Sequence, residues 1–166
     1  MNFNKMNMAK KVIVSLCLTD CSNLTHSENP FDADSKMARL GVIDENYRYT
    51  SIKKAAEFFR ESQNIFAESL PMKMNSHLIL KSVAFTPYIG VINIEIAEEV
   101  SEELKLELRK ANRLDETVSG YCEALFKSKY MYVNNQQFEL SMKDSKGTDI
   151  DRIYLNKDTC PEPSWN

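Results

Sequence analysis

Four cysteines, two histidines and a scatter of carboxylates are the side chains with the most chemistry to offer in this 166-residue chain. Cys122 falls in a helical pattern and Cys160 just past the last strand pattern. Between them lies what reads as a β-hairpin, residues 136–144 and 149–156, joined at Ser145-Lys146-Gly147-Thr148. A thiol on a helix and a thiol at a strand end suit a staple, and a staple belongs to an oxidising compartment. The other reading makes Cys122 a nucleophile partnered by His77, but no local signature surrounds it, so the staple is preferred. His26 and His77 have no carboxylate partners at metal-ligand spacing. Asp32-x-Asp34 lacks the glycine and glutamate of a calcium loop. Glycine occurs only at 41, 90, 120 and 147, which excludes Gly-rich phosphate loops. No catalytic residue, metal site or cofactor is expected, and the chain reads as a non-enzyme.

A second group of residues speaks to location. Lys5, Lys10 and Lys11 precede the apolar run Val12-Ile13-Val14-Ser15-Leu16-Cys17-Leu18, and Thr19-Asp20-Cys21 follows. That is the order of a bacterial export signal, with Cys21 where a lipoprotein's acylated first residue would stand. The run is short and Asp20 occupies the place of a small neutral residue. Cleavage before Cys17 leaves almost no apolar run upstream. Alternatively, residues 12–18 are the opening strand of a cytosolic domain. Nothing beyond the leader approaches the roughly 20 apolar residues that span a bilayer. The formal charge of −3 gives no footprint for nucleic acid. Without residues 1–21, which hold three of the 21 basic and one of the 24 acidic residues, the balance is 18 to 23, a net of −5.

The elements that must position these residues follow from periodicity. Residues 22–49, with Asn29-Pro30 and Asp32, Asp34, Asp44 and Glu45, read as a polar tether. Thr50 or Ser51 caps a helix running to about Ser69, before Pro71, with Ile52, Ala55, Ala56, Phe59, Phe66 and Leu70 on one face. Residues 76–86 and 88–97 read as two strands meeting at Thr86-Pro87, the second with Ile92, Ile94 and Ile96 on its buried face. Ser101 caps the next helix, which has Val100, Leu104, Leu108 and Ala111 on one stripe and helical character continuing through Val118 to Cys122. Residues 130–133 start a strand or finish a short helix, the hairpin closes the domain, and Trp165 belongs to a tail over 161–166 that is loose or docks back onto the domain. The expected fold is α+β, an antiparallel sheet of four to five strands packed against two to three helices, within a domain spanning 50–160.

Residues 65–160 resemble a family of small bacterial envelope domains, the mixed α/β pilotins of type II secretion. The likeness rests on Leu70-Pro71 closing a helix, the strand pair from His77 to Ile96, Cys122 on a helix, the turn Asp144-Ser145-Lys146-Gly147 and the terminal Thr159-Cys160. The resemblance implies a disulfide between Cys122 and Cys160, lipidation at Cys21, and a groove that takes a short helical segment of a secretin. Which residues line that groove is not legible in the sequence. Two alternatives stand beside it. One is a periplasmic inhibitor or immunity-type protein whose acidic surface at Asp144, Asp149 and Asp151 meets a basic target. The other is an envelope domain without an assigned role.

Overall fold

The computed structural model describes residues 33–165; the expected leader, Cys17, Cys21, His26 and the first part of the tether lie outside the described residues. The elements are α1 (Ala33–Arg39), α2 (Ile52–Ala67), β1 (Met72–Lys73), β2 (Leu78–Phe85), β3 (Ile89–Ile96), α3 (Glu102–Ala111), α4 (Asp115–Leu125), α5 (Lys129–Val133), β4 (Gln137–Lys143) and β5 (Asp149–Leu155). The fold is α+β, with one five-stranded sheet in the order β1-β2-β3-β4-β5. The caps are those expected from the sequence. The Ser51 hydroxyl accepts from the Lys54 N–H and the Ser101 hydroxyl from the Leu104 N–H, satisfying donors that the first helical turn leaves unpaired.

Neighbouring strands run antiparallel except β3 and β4, which are parallel in the register Gly90 to Phe138 and Ile94 to Met142. The connection between them contains α3, α4 and α5, enough chain to return to the starting end of the sheet, which a parallel neighbour requires. Five helices stand among the described residues against the two to three expected: α1 is too short to show a helical period, and of the two alternatives for residues 130–133 the short helix, α5, holds.

All five strands share a single apolar face. Leu80, Ile94, Ile96 and Met142 pack with Leu108 of α3, while Phe138, Leu140, Ile153 and Leu155 pack with Tyr121, Cys122 and Phe126 around α4. A bulge in β2 between Leu80 and Ser82 adds one residue, so Leu78 and Leu80 before it and Val83 and Phe85 after it face the same side. The opposite face is solvated and laced with ion pairs: Lys81–Glu95 at 3.1 Å, Arg152–Glu139 at 3.2 Å and Lys143–Asp149 at 3.5 Å. Exposed pairs of this kind are worth little individually. The outer edge of β5 is covered by arginines: Arg109 Nε donates to the Ile150 carbonyl at 2.5 Å and Arg113 Nη2 to the Arg152 carbonyl at 3.1 Å.

Residues 33–49 are packed rather than tethering. Met37, Val42 and Ile43 are buried with Ala55, Phe59 and Tyr130 in a third apolar cluster beyond the ends of β2 and β3. Asp34 fixes α1 there by accepting from the backbone N–H groups of Lys129 and Tyr130 at 2.8 and 3.0 Å. Six apolar side chains drawn from four separate segments close this cluster, so its members look isolated in the sequence.

Candidate functional site

Cys122 and Cys160 are joined by a disulfide with Cα atoms 5.5 Å apart, and both are buried. The bridge ties α4 to the turn after β5, where Asn156 accepts from the N–H groups of Asp158 and Thr159. The nucleophile reading of Cys122 is thereby corrected, since its sulfur is consumed in the bridge. His77 sits at the far end of the sheet, its Nδ1 3.3 Å from a Glu98 carboxylate oxygen. Among the described residues no cluster of three or more His, Cys, Asp or Glu side chains is placed to hold a metal ion, and no helix is long and apolar enough to cross a membrane.

The acidic surface expected at Asp144, Asp149 and Asp151 does not form. Asp151 takes a two-pronged contact from Arg113, at 3.0 and 3.1 Å, and a third hydrogen bond from Asn112. Asp144 is buried at the hairpin turn, accepting from the N–H groups of Lys146 and Thr148, with the buried Lys105 ammonium 3.6 Å away. Only Asp149 is freely exposed, beside Lys143. The turn's first residue had to cap its own backbone, and that need drew the carboxylate inward. Gly147 completes the turn at φ +77°, the left-handed region expected there.

Asp144 carries a pH signature. Desolvation pushes its carboxyl up, but the backbone donors of Thr148 and Lys146 together with the Lys105 ammonium outweigh it and hold it below the ordinary carboxylate value. Its contribution to stability is therefore complete above the unfolded value, about 3.9, and is lost as pH falls through the lower folded value. Lys105 is shifted the other way, raised first by its hydrogen bond to Glu102. Asp144→Asn keeps a carbonyl oxygen for the turn and removes the charge. Its melting temperature should lie below that of the parent by a constant margin from pH 5 to 8, and the margin should close below about pH 4. A margin independent of pH would show that the charge has no part in it.

The sequence did not locate a groove; the packing shows where the covered face of the sheet is least closed. Helix α2 lies over β2 at one side of the sheet and α3 over β5 at the other. Between them, on the covered face, Val83 and Ile92 are only partly buried although they belong to neighbouring strands inside the sheet. Leu70 and Leu104, also partly buried, pack against the same cluster. Phe59 and Phe66 are seven residues apart, hence nearly aligned on α2, yet Phe59 is buried and Phe66 is exposed. The apolar stripe of α2 thus continues past its covering. Leu70, Val83, Ile92 and Leu104, partly buried on one cluster, together with the exposed Phe66 four residues before Leu70, are the candidate partner site.

A cleft of about 680 Å³ lies between α4 and the C-terminal tail, lined by Ser119, Glu123, Lys127 and residues 161–165. Of the two alternatives for the tail, the docked one holds: Trp165 Nε1 donates to the Phe126 carbonyl at 3.2 Å and its ring meets Tyr132 edge-on.

No protein-family model matches the chain, and no curated protein matches it in sequence. In structure it is similar to a candidate secreted protein from Pseudomonas aeruginosa, with 8% identity over 65% of this chain and 94% of that one and a TM-score of 0.49. It is also similar to EpsS, the pilotin of the Vibrio vulnificus type 2 secretion system, with 13% identity over 68% and 96% and a TM-score of 0.47. A third similar structure is the type II secretion system pilotin AspS from Vibrio cholerae, with 9% identity over 66% and 94% and a TM-score of 0.41.

Proposed function

We propose that this chain is a non-catalytic protein of the bacterial envelope that binds a partner's apolar segment along the strip formed by Phe66, Leu70, Val83, Ile92 and Leu104. The observation that carries the reading is the partly uncovered Val83–Ile92 floor between α2 and α3. A core position left half-open on the helix-covered side of a sheet is a place where a further apolar element completes the packing. The disulfide supports an oxidising compartment. In the finer form of the proposal, residues 1–21 are a signal, Cys21 is the acylated residue, residues 22–32 are the tether, and the segment bound is a short amphipathic helix of a secretin. The inhibitor alternative loses its main support, because Asp144 and Asp151 face inward.

Calorimetric titration with a peptide from the C-terminal segment of the cognate secretin tests the reading. Phe66→Asp, at a position already exposed, should weaken binding by at least tenfold, while Tyr154→Ser on the opposite sheet face should leave it unchanged. Equal affinity in Phe66→Asp would exclude the strip as the site, and no binding by the parent protein would exclude the secretin.

A further inference from the structure

Four of the large apolar side chains most open to solvent gather at one end of the domain. Leu40 (55% exposed) follows α1, Ile52 (46%) opens α2, and Tyr88 and Ile89 (both 49%) form the turn between β2 and β3. Two contacts show that these segments share an end: the Tyr49 hydroxyl donates to the Pro87 carbonyl, and the Tyr49 ring meets those of Phe59, Tyr88 and Tyr130. Helix α2 runs back along β2, with Gln63 bonded to the Phe85 carbonyl, so its N-terminal turns project past the strand ends.

Basic side chains are interleaved with these groups. Residues 33–60 carry Lys36, Arg39, Arg48, Lys53, Lys54 and Arg60. Lys129 lies over the Tyr47 ring at 4.7 Å and over the Trp165 ring at 5.6 Å, and Lys36 lies over Phe58. Of the four acidic residues in the same stretch, Asp34 is spent on the N–H groups of α5 and Asp44 on those of Asn46 and Arg48, leaving Glu45 and Glu57. At the opposite end of the sheet residues 97–107 hold five glutamates, 98, 99, 102, 103 and 107, against one lysine, with Glu99 paired to Lys146 and Glu102 to Lys105.

We infer that this aromatic and basic end docks on an anionic lipid surface, with the acidic end turned away. Amphipathic rings and lysines around exposed aliphatic groups match a headgroup layer, where apolar tips reach the acyl boundary and cations meet lipid phosphates. The described chain also begins here, at Ala33, so the 32 residues that precede α1 join the domain at this end. The inference goes beyond the partner strip and does not depend on it.

The test uses the full chain carrying Cys21→Ser, so that no acyl chain contributes, and vesicles of phosphatidylglycerol and phosphatidylethanolamine. Trp165, the single tryptophan, sits at this end and reports orientation. Binding should be salt-sensitive, and a headgroup nitroxide lipid should quench Trp165. Lys53→Glu with Lys54→Glu should lower the partition coefficient about tenfold or more and abolish quenching, and Tyr88→Ser with Ile89→Ser should do likewise. Leu106→Ser, an exposed apolar site on α3, should change nothing. Unaltered melting curves would show that the variants fold. Equal binding by all variants, binding without quenching, or an effect on self-association alone would overturn the inference; the first two would assign the attachment to the leader and the third to a second copy of the chain.

Discussion

Replacing Cys122 or Cys160 by serine should lower the unfolding free energy by about 4 kcal/mol, the chain-entropy value for a bridge closing some 38 residues. Against a typical total of about 5 to 15 kcal/mol that is a large share. The loop so closed contains α5, β4 and β5, half of the second apolar cluster. Opening it frees the unfolded chain, an effect common to every form that lacks the bridge. The two single variants should therefore lose similar amounts, the double variant should lose no more than either, and the reduced parent should fall to the same level. Urea unfolding of the four forms decides it. Losses that add would mean that each cysteine acts through its own packing and that the bridge contributes little.

The second large effect lies where Gly90 faces Phe138 across the parallel pair. A Cβ at position 90 would stand 2.7 and 2.8 Å from two ring carbons of Phe138 and 2.9 Å from one of Phe85. The Phe138 ring cannot withdraw, because Phe126 meets it edge-on from the other side, with centroids 5.2 Å apart. Gly90→Ala should cost about 1 to 3 kcal/mol by overpacking. Phe138→Ala should cost about 3 to 5 kcal/mol by emptying the centre of the cluster. Combined, they should lose less than the sum, by about 1 kcal/mol or more, because the new methyl enters space that the ring has left. Strict additivity in a double-mutant cycle would show that the glycine is not a seat for the ring.

How far the sequence foretold these arrangements depended on the distance over which each is decided. Helix α2, strands β2 and β3, helix α3 and the hairpin were legible because their apolar residues repeat with the local period, and Ser51, Ser101 and Gly147 mark their ends. The pairing of Cys122 with Cys160 was legible because one falls in a helical pattern and the other just past the last strand, a placement the family resemblance also implies. Gly90 looked like an ordinary strand residue, because its role appears only once β3 is set in register with β4, 48 positions along. Met37, Val42 and Ile43 looked like stray apolar residues in a polar stretch, since the cluster they join is completed by Phe59 and Tyr130 from elsewhere. Lys105 and Asp144 looked like surface charges for the same reason: the two meet only when elements distant in sequence are packed together. The partner strip follows this rule as well, since Val83 and Ile92 read as core residues and only the spacing of two helices leaves them partly uncovered.

The arginines on β5 also limit what this sheet can become. With Arg109 and Arg113 occupying carbonyls on that outer edge, a newcomer strand would have to displace charged hydrogen bonds before it could pair. On the other side β1 covers only Ile79 and Leu80, and among the described residues no strand flanks positions 82–84 of β2. A sheet with one closed and one open border can lengthen in one direction only. If two copies met along their open borders they would exhaust them, so cross-strand growth would halt at a pair instead of propagating as a fibre.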